Sequence, residues 1–285
     1  NKIFNNNIFN KMFLFEELFN YYLLNINKYS FDYILFNNPS IVFKPPWVKL
    51  NERLIKNSVI FYFYSINIFP LQEKNQKRYF DVNGYALSEW NLFWIWNKGQ
   101  LNWLRKKVNK VFKYKYIRYL PFEGQYYQQN YKNKKIVTIF DVPPKNLFTK
   151  SQLVNSYNHY SFNFCSRFLN DILEVLKNKN IIIIIKIKRD YQNIDLRYKN
   201  LILKLKKIKN IKLFYDEISA ESLVEKSNLT ISSPFTSTAL ISKSLNKKSI
   251  YYNPYLEIHK TGYNPLNIKI ISKLENLKTW IDKNL

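Results

Sequence analysis

The sequence predicts an α/β protein made of two parallel-sheet halves, and three observations carry that reading. Compact runs of β-branched and aromatic residues alternate with amphipathic stretches of helical length along the 285 residues. Hydrophobic residues make up 46% of the chain, enough to bury a sizeable core and to argue against disorder. No Gly/Ser-rich or Pro-rich linker and no repeat of fixed period interrupts the alternation.

In the first half, strand-like runs at Asp32–Phe36 and Ser58–Tyr64 alternate with helix-like stretches at Lys11–Leu24 and Ala86–Val108. Within the last of these, Trp90 and Trp94 share a helical face with Leu101, a spacing that favours core packing over a sugar platform. The second half is cleaner. Strands are expected at Lys135–Asp141, Ile181–Ile187, Ile211–Phe214, Leu229–Ser232 and Ser249–Tyr252. Helices are expected at His159–Lys177, Leu196–Lys209, Ala220–Lys226, Ser237–Leu245 and Lys273–Lys283, the last introduced by a Ser272/Glu275 capping box. With right-handed crossovers, residues 131–285 make a Rossmann-like domain whose strand C-termini face one crevice, and residues 1–130 a second α/β domain. The chain starts with Asn1 and its one methionine is Met12, which leaves room for a truncated N-terminal domain.

The formal net charge is +25, which by itself points to a polyanionic partner. Lys, Asn, Ile, Phe and Tyr are abundant together, however, as A/T-rich codons would produce, so the basic excess is weak evidence for nucleic acid. No helix-turn-helix, zinc or RNP-type motif supports that partner either. Cys165 is the only cysteine and His159 and His259 are far apart, so there is no intrachain disulfide and no metal-ligand spacing. The strongly apolar run Ile181–Ile185 is much too short to cross a bilayer, and the N-terminus lacks the zones of a signal peptide, so a soluble cytoplasmic protein is expected.

Three segments could carry chemistry. Ser232-Ser233-Pro234-Phe235-Thr236-Ser237-Thr238-Ala239 falls where a strand ends and a helix begins. Small hydroxyl residues there leave backbone amides open, and a helix start offers unpaired N–H groups and a positive dipole end to a phosphate. The plainer alternative is that Thr236 or Ser237 caps the helix. Lys186, Lys188 and Arg189 close the apolar strand at Ile181–Ile187, with Lys186 and Lys188 on one side, where cations could meet phosphate or a sugar carboxylate. Asp141 ends the first strand of the second half ahead of Val142-Pro143-Pro144 and is a candidate base, or else a turn residue. His259, in a Gly-containing loop after Ser249–Tyr252, is a second catalytic candidate.

Taken in order, these pieces resemble bacterial surface-carbohydrate (capsule or lipopolysaccharide) biosynthesis proteins of the GT-B glycosyltransferase type. The resemblance covers roughly residues 134–285. It rests on Ile139-Phe140-Asp141-Val142, Lys186-Ile187-Lys188-Arg189 and Ser233-Pro234-Phe235-Thr236-Ser237-Thr238-Ala239, then on Ser249-Ile250-Tyr251-Tyr252-Asn253-Pro254 and His259-Lys260-Thr261-Gly262-Tyr263-Asn264-Pro265-Leu266. It implies two Rossmann-like domains, an acceptor-side one at 1–130 and a nucleotide-sugar-binding one at 131–285. It also implies a donor phosphate held by Ser233, Phe235, Thr236, Ser237 and Thr238 with Lys186, Lys188 and Arg189, and no cofactor beyond the nucleotide-sugar itself. The partners implied are that donor and a glycan or glycolipid acceptor, with peripheral contact to the inner membrane. The basic cluster at 186–189 would suit a CMP-activated acidic sugar. Two rival reactions use the same fold, polyol-phosphate transfer and sugar 2-epimerisation. A non-catalytic subunit is a further rival, since Asn253 stands where the family pattern has Asp.

Overall fold

The computed structural model describes residues 11–12, 14–16, 18–19, 22, 33–36, 44, 59–63, 87–117, 124–131, 133–144, 161–188, 194–215, 217–234, 236–255 and 268–285. The chain divides into two compact units, one holding the described residues up to 117 and the other those from 124 onward.

In the first unit the described residues between 11 and 22 are helical. Four strands, β1 (Ile34–Phe36), β2 (Val59–Tyr62), β3 (Leu92–Ile95) and β4 (Lys113–Tyr116), form a parallel sheet in sequential order. Its core is aromatic. Trp90 is fully buried, with the rings of Phe36 and Phe61 at 5.0 and 5.2 Å and the Lys44 ammonium 5.2 Å over its face. Helix α1 (Lys98–Lys107) starts where Asn97 accepts the Gln100 amide, and it ends in Arg105, Lys106 and Lys107, the charge its C-terminal dipole favours.

The helix expected over Ala86–Val108 is therefore corrected: its first part is β3, and only Lys98–Lys107 is helical. A spacing of four fits a strand face as well as a helix face. The alternating burial of Leu92-Phe93-Trp94-Ile95 and the Asn97 cap decide for strand, then helix. Strand β4 was not anticipated, because Lys113-Tyr114-Lys115-Tyr116 is an exposed edge with no buried face to show in the pattern.

The second unit is built on six parallel strands: β5 (Lys135–Asp141), β6 (Ile181–Ile187), β7 (Ile211–Phe214), β8 (Leu229–Ser232), β9 (Lys248–Tyr252) and β10 (Lys269–Ile271). Their order in the sheet is β10-β9-β8-β5-β6-β7, the doubly wound arrangement in which the first three strands run one way from β5 and the last three the other. Between them lie α2 (Phe162–Leu176), α3 (Leu196–Lys206), α4 (Ala220–Lys226) and α5 (Ser237–Ser244), with α6 (Leu274–Asn284) closing the chain. All seven residues of β6 are buried, as expected of a central strand covered on both faces.

The two faces of this sheet differ in chemistry. One is apolar: Ile181, Ile183, Ile185 and Ile187 pack with Phe164, Phe168, Leu169 and Ile172 of α2, Tyr198 and Ile202 of α3, and Leu277 and Ile281 of α6. Helix α2 shows why. Its buried residues Phe164, Cys165, Phe168, Leu169, Ile172 and Leu176 recur at the helical period, and Ser161 caps it by accepting the Phe164 amide.

The other face is covered by α4 and α5 and carries a stripe of hydroxyls. Thr138 and Thr230 are fully buried and adjacent in register. Each is matched by a serine from the covering layer, Thr138 with Ser227 at 2.6 Å and Thr230 with Ser242 at 2.9 Å. Those serines donate onward to the carbonyls of Leu223 and Thr238. A buried hydroxyl is tolerated only when partnered, and these are.

Helix α6 starts differently from expectation. Its N-cap is Lys273, in a left-handed conformation (φ 73°) and with no side-chain cap, so the Ser272/Glu275 box does not form. Strand β10 was also unforeseen, since three residues between loops leave too little pattern. At the other end of the unit, Gly124 has φ +136°, and a Cβ there would lie 2.7 Å from the Ser219 nitrogen. That close approach lets Gln125 pair with the chain at 217–219, its amide donating to Glu217 and its carbonyl accepting from Ser219. Gly124→Ala is expected to destabilise this unit by more than about 1 kcal/mol, seen as a lower urea midpoint at unchanged slope.

Candidate functional site

In a doubly wound sheet the strand order reverses at one place, where the connections leave toward opposite faces and open a crevice at the strand C-termini. Here that place lies between β5 and β8, so the residues at issue are those following Asp141 and Ser232.

The corner after β8 is a tight, self-bonded turn. The Ser233 amide donates to Phe140 O, extending the β5–β8 pairing, and the Thr236 amide returns to Ser233 O at 3.3 Å. Thr236 is the N-cap of α5, with extended backbone (φ −80°, ψ 149°), yet its side chain caps none of the helix amides. Its Oγ1 donates instead to Ser233 O at 2.9 Å and lies 3.2 Å from the Thr238 hydroxyl. Thr238 also meets Ser232 Oγ at 3.0 Å. From β9, the Tyr251 hydroxyl donates to the Thr236 carbonyl at 2.9 Å. Ser233, Thr236 and Ser237 are buried, at 6, 6 and 4% exposure, and Thr238 is half-buried. The capping role that Thr236's position suggests is therefore not taken by its side chain, and Thr238 is the most open hydroxyl of the group.

The basic cluster is on the same edge of the sheet. Lys186 and Ser232 both pair in register with Phe140, on its two sides, so they share a face two strands apart, about 10 Å between backbones. Lys186 is 8% exposed and its ammonium donates to the Tyr215 carbonyl, beyond β7, on the side away from Ser232. Lys188 follows the end of β6 and is half-buried. Arg189, Phe235 and His259 lie outside the described residues.

Asp141 points the other way. It pairs in register with Ile187, one position beyond the Phe140–Lys186 row, and so belongs to the apolar face. It is 2% exposed, its Oδ2 accepts the Tyr198 hydroxyl from α3, and its Oδ1 has no hydrogen-bond partner among the described residues. Burial pushes its pKa up to about 7, against the pull of the Tyr198 hydroxyl and the Val142 amide. The Tyr198 hydroxyl is in turn pushed well above its ordinary range by burial and by the carboxylate beside it. Alongside, Cys165 Sγ donates to the Val142 carbonyl at 3.1 Å. The structure thus separates Asp141 from the hydroxyl corner by the thickness of the sheet.

Two residues that shape this region were given no role of their own by the sequence. Tyr198 lies far along the chain from Asp141 and is marked by no local motif. Tyr251 stands within Tyr251-Tyr252-Asn253-Pro254, where only its place opposite β8 reveals what it grips. Among the described residues no group of three or more His, Cys, Asp or Glu could hold a metal ion, and no helix is long and apolar enough to cross a membrane.

Residues 2–281 match the polysaccharide biosynthesis PFTS motif protein family. The chain belongs to that family. Pro-Phe-Thr-Ser occurs in it once, at 234–237, following β8 and running into the start of α5. No curated protein matches the chain. Among solved structures, the pneumococcal O-GlcNAc transferase GtfA in complex with UDP and GlcNAc is similar, at 11% identity and TM-score 0.44 over 79% of this chain and 44% of that one. TarM of S. aureus, in complex with Fondaparinux, alpha-GlcNAc-glycerol and UDP, is 10% identical with TM-score 0.42, over 82% of this chain and 46% of TarM. The spinosyn rhamnosyltransferase SpnG complexed with thymidine diphosphate is 9% identical with TM-score 0.45, over 92% and 67%. The PFTS motif chain spans less than half the length of the first two.

Proposed function

We propose that this PFTS motif protein is a glycosyltransferase of GT-B type, moving a sugar from a nucleotide-activated donor to a surface polysaccharide or lipopolysaccharide acceptor. One observation carries the reading: the Pro-Phe-Thr-Ser motif stands at the β5/β8 switch point and leads into α5, whose N-cap Thr236 makes no side-chain cap hydrogen bond. A donor phosphate bound there would meet the positive end of α5 and the Thr238 hydroxyl, with Lys188 along the same edge of the sheet and Lys186 turned to the Tyr215 carbonyl. Because Ser233, Thr236 and Ser237 are nearly closed off, they serve in this reading by fixing the turn.

In this account the unit from 131 onward holds the donor and residues 1–130 the acceptor side. A CMP-activated acidic sugar is the donor we favour, because phosphate and sugar carboxylate together would engage more of the basic cluster than a neutral sugar does. The donor would come from the cytoplasm, and the acceptor glycan or glycolipid would be met at the inner face of the membrane. The relatives with bound UDP and thymidine diphosphate support the class of donor and no more.

The test is calorimetric titration of CMP-, UDP- and dTDP-sugars into the wild type and a Ser237→Ala/Thr238→Ala variant, with the variant's fold checked by its melting temperature. A loss of affinity of about tenfold or more in a stably folded variant is expected, equivalent to about 1.4 kcal/mol. Unchanged affinity would remove the turn from the donor site. Tighter binding of UDP- than CMP-sugars would keep the transferase and discard the acidic donor.

A further inference from the structure

The edge of the second unit opposite the switch point holds a hollow that the donor turn does not share. All six strands are parallel, so this edge gathers the strand N-termini and the C-termini of the helices that precede them. Helix α5 ends there on the hydroxyl face of the sheet and α6 on the apolar face. Between those ends, beside the first residues of β9 and β10, a hollow of about 370 Å³ opens. That volume is at the low end of the roughly 300–1,000 Å³ of small-molecule sites.

Its lining combines an aromatic ring, amides, a hydroxyl and cations. Trp280 and Asn284, four apart in the last turns of α6, share one side of the helix, and Trp280 is half-buried. Asn246 stands in the turn after α5 in a left-handed conformation (φ 56°). Ser249, in β9, has a hydroxyl with no hydrogen-bond partner among the described residues. Lys247 and Lys248 are occupied within the protein. Their ammoniums donate to the Glu225 carbonyl at 2.6 Å and the Asn284 carbonyl at 3.1 Å, which ties the ends of α4 and α6 to the start of β9. Lys243 and Lys269 differ: both are exposed, and neither ammonium makes a hydrogen bond or ion pair among the described residues. No acidic side chain lines the hollow among those residues.

We propose that this hollow holds an acidic sugar residue of a glycan chain, at a site apart from the donor turn. A sugar ring has apolar C–H faces and a rim of hydroxyls, so it calls for an aromatic ring flanked by amides, and Trp280 with Asn246 and Asn284 supplies that set. The two unengaged lysines select for a carboxylate or phosphate substituent. A nucleic-acid strand would instead call for successive rings on which to stack its bases, whereas Trp280 is the single aromatic residue lining the hollow among the described residues. Tyr126, at the same edge, lines no part of it and has the Lys226 ammonium 6.0 Å over its ring. The choice of a glycan rests on the transferase reading above, in which the growing chain carries the acidic sugar being added. A second hold on that chain raises its effective concentration between transfers. The site lies elsewhere in the unit from the donor turn, so the two can fail separately.

The experiment is calorimetric titration of the full chain with two acidic trisaccharides free of nucleotide, trisialic acid and trigalacturonic acid, against neutral maltotriose and hexauridylate. Wild type is expected to bind an acidic trisaccharide at least about tenfold more tightly than maltotriose and to lose affinity as salt rises. Lys243→Gln/Lys269→Gln is expected to weaken that binding about tenfold, while Lys98→Gln/Lys106→Gln, at exposed lysines of the first unit, leaves it unchanged. Trp280→Leu, with its fold checked by melting temperature, is expected to weaken acidic and neutral trisaccharides alike. The Ser237→Ala/Thr238→Ala variant is expected to bind the acidic trisaccharide as wild type does, whatever becomes of its donor affinity. Failure of both acidic trisaccharides to bind, equal loss in the two lysine variants, tighter binding of hexauridylate, or loss of the trisaccharide in the Ser237/Thr238 variant would each overturn the proposal.

Discussion

Asp141→Asn is expected to make the protein more stable above neutral pH and to erase a slope that the wild type shows between about pH 4 and 7. The carboxyl is enclosed on the apolar face, with Tyr198 as its one side-chain donor. Its pKa rises from 3.8 to about 7 on folding. Below about pH 4 both folded and unfolded chains hold the proton and there is no penalty. Between 4 and 7 the unfolded chain has ionised while the folded chain keeps its proton, so the unfolded state binds fewer protons and stability falls as pH rises. Above 7 both are ionised and the penalty levels off, at about three pKa units or on the order of 4 kcal/mol.

Asparagine keeps the shape and removes the charge, but it leaves an amide N–H₂ in a place with no second acceptor, at a cost of about 1–3 kcal/mol. The variant should therefore gain about 1–3 kcal/mol at pH 8 and match or fall below the wild type at pH 4. Urea unfolding at a series of pH values checks this, since subtracting one curve from the other cancels every other titrating group. Parallel curves would show that Asp141 is not the buried acid described here. The same variant bears on chemistry: a base in the transfer step would lose its activity on amidation, whereas a residue facing the α2–α3 layer would not.

Trp90→Ala is expected to cost the first unit about 3–5 kcal/mol of stability. Trp90 is fully buried where Phe36 and Phe61 converge, and its ring face also carries the Lys44 ammonium, itself only 2% exposed. The cavity would therefore take away ring packing and a cation's resting place together. A four-stranded sheet has little stability to spare. Denaturant unfolding followed by near-ultraviolet and far-ultraviolet signals should separate into two transitions, the first belonging to this unit. Were Trp90 a platform for sugar, the substitution would weaken acceptor binding and leave the unfolding curve in place.

The legible parts of the fold were those where local pattern and tertiary role coincide. Ile181–Ile187 announces a strand buried on both faces because nothing else tolerates that run, and β5, β7 and β8 likewise follow their apolar runs to the residue. The pattern misled where one spacing served two periods, as at Trp90 and Trp94, and where a cap depended on backbone geometry, as at Lys273. The strand-end position of the Ser-Pro-Phe-Thr-Ser run was readable, since a strand, a breaker and a helix follow in plain succession. The direction of Asp141 was not. Whether a strand-end residue faces one layer or the other depends on its parity against Phe140 and Ile187, and on a tyrosine from a helix that no local signal ties to it.

The turn after β8 owes its shape to bonds it makes with itself and with Tyr251: the Thr236 amide, hydroxyl and carbonyl are each engaged. Such a turn exists before anything arrives. On the donor site proposed above, a phosphate would meet backbone at Ser233 and Thr236 that is already held, and little of the interaction would be spent on ordering it. The hold by Tyr251 also makes this stretch heritable as a block: strand, turn, helix and the next strand would have to be transplanted together for the motif to keep its form in another scaffold.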